Sequence, residues 1–135
     1  MRRPRLRPAS FGRGLPHKQG RGVSALLEQI PGVVYRSEEH PPWRVFYVSE
    51  GIRELTGYAP EAFVGSGGLS FGDLIDARDR RRVAREVRTA LERQVGYDLE
   101  YRMVHRAGRI VWVHERGVRV RDGQGRSFLQ GVFLD

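Results

Sequence analysis

Residues 98–103 alternate strictly. Leu99, Tyr101 and Met103 carry apolar or aromatic side chains, while Asp98, Glu100 and Arg102 between them are charged. A period of two describes a strand with one dry and one wet face, and it excludes an amphipathic helix here. The pattern then recurs. Ala107-Gly108 supplies a turn, and Val111 and Val113 alternate with Trp112 and His114. The apolar phase next passes to Val118 and Val120, which predicts a β-bulge near Gly117. Asp122-Gly123-Gln124-Gly125 reads as a second turn and Phe128 to Phe133 as a last strand. Three hairpin-linked strands require an antiparallel sheet whose dry face something else must cover.

The cover is written upstream. Val33 to Ser37 and Trp43 to Ser49 read as two further strands, separated by the polar loop Glu38-Glu39-His40-Pro41-Pro42. Residues 50–57 form a short helix closed by Gly57, and 60–65 another helical turn opened by Pro60. Ser70 to Ile75 is a third short piece. Asp76 is expected to cap a longer helix, with Asp79 as its capping-box acid. Val83, Val87, Ala90 and Leu91 form that helix's dry stripe, and Arg82–Glu86 and Arg88–Glu92 are i,i+4 pairs on its wet side. Ahead of all these, Ser24 to Ile30 predicts one more helix with Leu26, Leu27 and Ile30 on one side. The expected fold class is therefore α+β: a five-stranded antiparallel sheet with short helices on one face, plus an N-terminal helix.

Charge divides the chain in two. The 135 residues hold 24 Lys+Arg against 16 Asp+Glu, a net charge of +8. Residues 1–22 carry Arg2, Arg3, Arg5, Arg7, Arg13, Lys18 and Arg21 and no acid, so the remainder nets only +1. Residues 1–22 are expected to be a basic disordered tail and 23–135 a single domain. A basic arm is a candidate nucleic-acid contact, but a nearly neutral body argues against nucleic acid as a partner. Cysteine is absent, which excludes disulfides, a cysteine nucleophile and thiolate metal sites. No apolar run is long enough for a membrane span or a secretory leader, and a cytoplasmic location is expected.

Several short motifs fall in one order. Phe46-Tyr-Val-Ser-Glu-Gly-Ile52 is followed by Leu55-Thr-Gly-Tyr58, then by Pro60-Glu-Ala-Phe-Val-Gly65 and Leu74-Ile-Asp-Ala-Arg-Asp-Arg80. Leu99-Glu-Tyr-Arg102, Arg106-Ala-Gly108, Trp112-Val113 and Gly131-Val-Phe-Leu-Asp135 complete the series. Over roughly residues 24–135 this order resembles that of PAS domains. The third motif resembles the family's P-E-E-L-I-G, and the fourth its L-I-H-P-D-D-R with Asp76, Ala77 and Arg78 replacing three residues. The resemblance implies a non-catalytic sensory and dimerisation module, with an output domain expected beyond Asp135. A histidine kinase is the expected parent and a cyclic-dinucleotide enzyme (diguanylate cyclase or phosphodiesterase) the alternative.

The resemblance also implies a cavity between the sheet and the helices, able to hold a small apolar ligand. By alternation its walls would be Leu99, Tyr101, Met103, Val111, Val113, Leu129 and Phe133 from the sheet. Ile52, Leu55, Phe63, Leu74, Val83 and Val87 would face them from the helices. The same residues equally describe a packed core without a cavity. A light-sensing flavin is disfavoured: its cysteine is missing, and Met103, Val113 and Phe133 stand where that subfamily has amides. Haem is disfavoured because His17, His40, His105 and His114 all lie away from the expected cavity, and no two His have metal-ligand spacing. The cofactor is left unknown. On the opposite face Val104, Trp112, Phe128 and Val132 form an apolar stripe, with Leu26, Leu27 and Ile30 as its intrinsic cover, and a homodimer is expected there. Glu100 and Arg102 are an expected ion pair on that face, with Arg116 nearby.

Two other readings use the same residues. Glu115 is in phase with the inner valines, so it is the one candidate for a buried catalytic acid. Past a bulge it would face solvent instead, and that placement is the expected one. Trp112, Phe128, Arg102 and Arg116 loosely resemble an RNA-stacking face that would work with the basic arm.

Overall fold

The computed structural model describes residues 32–65 and 67–134. The expected tail and the helix at 24–30, with Leu26, Leu27 and Ile30, lie outside the described residues. Five strands form one antiparallel sheet: β1 (Val33–Ser37), β2 (Val45–Val48), β3 (Tyr97–Val104), β4 (Ile110–Arg121) and β5 (Ser127–Leu134). Their order across the sheet is β2-β1-β5-β4-β3, so the first hairpin adds to the free edge of the last strand. Strand β2 is shorter than expected. Trp43 donates its backbone N–H to His40 O at 2.8 Å and adopts φ 62, so the chain is still turning at Trp43 and straightens only at Val45.

Three helices, α1 (Ile52–Thr56), α2 (Phe71–Leu74) and α3 (Arg80–Glu92), and a 3-10 turn (Pro60–Ala62) connect β2 to β3. Gly57 closes α1 at φ 84, a conformation open to glycine, and its N–H reaches Arg53 O at 2.8 Å. Ser70 opens α2 with a reciprocal capping box: its Oγ accepts from Asp73 N at 3.2 Å, and Asp73 Oδ2 accepts from Ser70 N at 2.9 Å. The long helix starts later than the sequence suggests. Asp76 takes the N–H of Arg78 at 2.9 Å, and the helix begins at Arg80, with Asp79 in the cap position but making no cap bond. Val83, Val87, Ala90 and Leu91 are buried as expected. Arg82 and Glu86 pair at 3.4 Å, while Arg88 and Glu92 form no ion pair.

The expected bulge at Gly117 is absent. Pairing of β4 runs without a slip from Ile110 to Gly117 against β3 and from His114 to Arg121 against β5. The irregularity lies in β1, between Arg36 and Ser37. With the register unbroken, the odd-numbered residues of β4 keep facing inward, and Glu115 is buried at 7% exposure. The solvent-facing placement expected for it is thus corrected.

Candidate sensing site in the core

One row across the sheet explains why the register holds. Tyr35 pairs with Gly131, Gly131 with Gly117, and Gly117 with Tyr97, on β1, β5, β4 and β3 in turn. Strand spacing puts the two tyrosine Cα atoms about 14 Å apart. With no side chain on either glycine, the rings lie across the gap and their hydroxyls meet at 2.6 Å. A Cβ on Gly117 would overlap the Tyr97 hydroxyl, and one on Gly131 would come within 2.6 Å of the Tyr35 hydroxyl. The two glycines therefore serve the tyrosines rather than a bulge. In the sequence they carried a signal, since glycine inside a strand marks a bend or a close approach. Which of the two it marked depended on strand order.

The adjoining row brings in the acid. Glu115 pairs across β4 with Leu99 on one side and Phe133 on the other. Its Oε2 accepts from the Tyr35 hydroxyl, and its Oε1 from the Tyr101 hydroxyl at 2.6 Å. Each phenol has one proton to give, so with Tyr35 donating to Glu115, Tyr97 donates to Tyr35. Burial pushes the Glu115 carboxyl above its ordinary range, and the hydrogen bonds from Tyr101 and Tyr35 oppose this. Burial and the neighbouring acid raise all three phenols well above theirs. Among the described residues no cation pairs with Glu115.

This cluster borders a cavity of about 10 Å³, room for one water-sized group. Tyr101, Leu129, Val83 and Val87 among the expected wall residues line it. So do Ser37, Trp43, Phe71, Ile75, Tyr97 and Glu115, which the alternation argument did not propose. Ile52, Phe63, Leu74, Leu99, Met103, Val113 and Phe133 are buried in the core around it, and Leu55 and Val111 pack half-buried against that core. The lining thus includes a carboxylate beside the residues that alternation proposes. Trp43 adds a further polar atom, for its buried Nε1 has no hydrogen-bond partner among the described residues. A flavin does not fit these residues. Met103, Val113 and Phe133, which by the resemblance stand where a light-sensing flavin domain has side-chain amides, are buried hydrocarbon or thioether groups without hydrogen-bonding capacity of that kind. No group of three or more His, Cys, Asp or Glu able to hold a metal occurs among the described residues.

The opposite face has its own chemistry. Trp112 is 64% exposed, Val104 and Ile110 are exposed, and Phe128 and Val132 are half-buried. Arg102 lies over the Trp112 ring at 5.2 Å and Arg36 over Phe128 at 5.4 Å. The expected Glu100–Arg102 pair is not formed. Arg102 instead binds Asp79, through Nη2 at 2.7 Å and through Nε and its backbone N–H at 2.9 Å each. The reason is that β3 is an edge strand: the Arg102 backbone N–H has no partner strand, and the start of α3 presents a carboxylate to it. These bonds hold Asp79 down to a pKa of about 2. Arg116 pairs with Asp98 at 3.5 Å, and His114 meets the same acid at 2.6 Å.

A family model described as the PAS fold matches residues 45–133. Among solved structures, the chain is similar to the PAS domain of a protein from Colwellia psychrerythraea, with TM-score 0.70 and 20% identity, covering 83% of this chain and 92% of that one. It is similar to the N-terminal domain of a diguanylate cyclase with PAS/PAC sensor from Marinobacter aquaeolei, with TM-score 0.62 and 22% identity, covering 77% and 94%. It also matches a light-oxygen-voltage domain studied with a flavin analogue, with TM-score 0.62 and 24% identity, covering 82% and 81%. No curated protein sequence matches it.

Proposed function

Because the chain belongs to the PAS fold family, we propose that it is the sensory and dimerisation module at the input end of a signal-transducing protein, with a histidine kinase as the output. Members of the family are generally non-catalytic sensors. In this reading the core cluster around Glu115 receives a small molecule, and the outer sheet face carries the response to a second copy of the chain. One observation supports it above the others: consecutive residues of β3 face the two regions. Tyr101 donates to Glu115 in the core, and Arg102 joins Asp79 at the start of α3 to Trp112 on the outer face. Expansion of the core near Val83 and Val87 would move α3 outward and alter the hold of Asp79 on Arg102. Such an element can bias a two-state output only if a ligand binds the two states unequally.

A diguanylate cyclase output is the alternative, favoured by the similarity to the Marinobacter domain, which its name places in such an enzyme. The module is read as cytoplasmic; among the described residues no helix is long and apolar enough to cross a membrane. Native mass spectrometry of the chain, purified without denaturation, tests the proposal. The expected species is twice the 15.5 kDa chain mass, with an added mass that denaturation removes. The variant W112R is expected to be monomeric. A wild-type monomer carrying nothing would overturn the reading. Grafting the domain onto a kinase core and onto a cyclase core, and asking which output responds, separates the two parents.

A further inference from the structure

Two groups at the core cavity keep hydrogen-bonding capacity that the protein does not use. Glu115 accepts one phenolic proton at each oxygen and retains a second lone pair on each. Trp43, 7% exposed, lines the same cavity and has a buried N–H with no acceptor among the described residues. Trp43 also holds φ 62, a left-handed conformation that bulky residues rarely adopt. A left-handed backbone at a bulky residue and an unmet buried donor are both features that cluster at ligand sites.

The chemistry of the missing partner follows. Its polar atom must donate towards Glu115 and accept from Trp43; that atom alone fills the present volume, so any remainder requires the core to open. A carbonyl or ether oxygen only accepts, and an ammonium group only donates. A hydroxyl oxygen does both at one atom. The other walls, Phe71, Ile75, Val83, Val87 and Leu129, are hydrocarbon and suit an alkyl remainder. We propose that the core site binds a small neutral alcohol, with its hydroxyl held between Glu115 and Trp43 and its alkyl part displacing Val83 and Val87 of α3. This rests on the reading that the domain senses a small molecule in its core, and it names the class. Water satisfies the same two groups, so an alcohol competes with it through the contacts of its alkyl chain.

The chain contains two tryptophans, so two indole N–H signals suffice as a readout. In a 15N-labelled sample of the full chain, the Trp43 signal is the one protected from solvent exchange, Trp112 being exposed. Titration with 1-butanol is expected to shift the Trp43 signal saturably and downfield while Trp112 stays in place, and to raise Tm. Diethyl ether, of the same heavy-atom count, and butylamine are expected to bind at least tenfold more weakly. The variant E115M is expected to lose the discrimination between butanol and ether. If E115M does not give a dispersed spectrum, Y101F is the substitute and is expected to reduce it at least threefold. Equal binding of butanol and ether overturns the hydroxyl site and leaves a core-sensing domain standing. No shift at Trp43 with any of the three probes overturns the alcohol proposal as well, and an added mass in native spectrometry would then place the sensing reading on another ligand.

Discussion

Two carboxylates in this chain sit at opposite ends of the same argument. Glu115 is buried without a cation among the described residues, and its carboxyl is raised above the ordinary 4.5, so the folded state holds its proton more tightly than the unfolded chain does. For an acid raised in this way, stability is fully present below the unfolded value and is lost as pH rises from there through the folded value. Chemical denaturation of the wild type is therefore expected to show a contribution that declines as pH rises above about 4.5. In E115Q, which cannot ionise, that decline is expected to vanish. Asp79 behaves in the opposite sense. Its carboxyl is lowered from 3.8 to about 2 by the Arg102 guanidinium and backbone N–H, so its contribution is present above the unfolded value and lost as pH falls towards the folded one. The variant D79N is expected to cost about 2–3 kcal/mol at pH 7, the scale of hydrogen bonds to a charged group. The difference from wild type is expected to shrink between pH 4 and pH 2. From the sequence only Glu115 stands out as a candidate buried acid. Asp79 reads as the capping-box acid behind Asp76, because that is the local use of an acid ahead of a helical stripe and Arg102 is 23 residues away.

At the scale of elements, the informative case is the row Tyr35–Gly131–Gly117–Tyr97. The variant G117A is expected to destabilise the domain by about 3 kcal/mol or more, because the added methyl must displace the Tyr97 hydroxyl in a packed core. Combining it with Y97F removes the nearest clashing atom and leaves the ring carbon at 2.5 Å, so the double variant is expected to lose somewhat less than the sum of the two, as a double-mutant cycle by urea denaturation would show. A simpler local device sits at the start of α2. There S70A removes one side of the capping box and is expected to cost about 1 kcal/mol. The turn at Gly57 and the alternation in β3 are legible because each is decided within a few residues, whereas the capping box forms at Ser70 and Asp73 instead of the expected Asp76 and Asp79. The false bulge at Gly117 arose from the same local logic. The shift of apolar residues to Val118 and Val120 resembles a register slip until the strand on the far side of β4 is known.

For the molecule as a whole, the sheet and the helical cover differ in how firmly they are held. Strands β4 and β5 have a neighbour on each side, whereas α3 touches the sheet chiefly at the edge strand β3. Hydrogen exchange is expected to run faster at the amides of Val83–Leu91 than at those of Val113–Gly117 and Leu129–Phe133. The opposite order would remove the basis for reading α3 as the part that yields to a ligand. The outer stripe of Val104, Trp112, Phe128 and Val132 was anticipated as a surface because alternation assigns faces without any tertiary knowledge. Arg102 groups with Trp112 and Phe128 by the same alternation, but Arg36 over Phe128 does not, since it comes from β1, whose place beside β5 only the strand order sets.

By itself the sequence determined the five strands, their antiparallel sense, the short helices between them and most of the buried set. These follow from periodicity, turn residues and caps, which act over one or two turns of chain. The tertiary structure alone decided that β5 lies between β1 and β4, and hence that two glycines stand between two tyrosines. It decided that Glu115 faces inward against three phenols and that Arg102 leaves Glu100 for Asp79. Each of these depends on which strands are neighbours, and side chains far apart in sequence become partners only once that order is set.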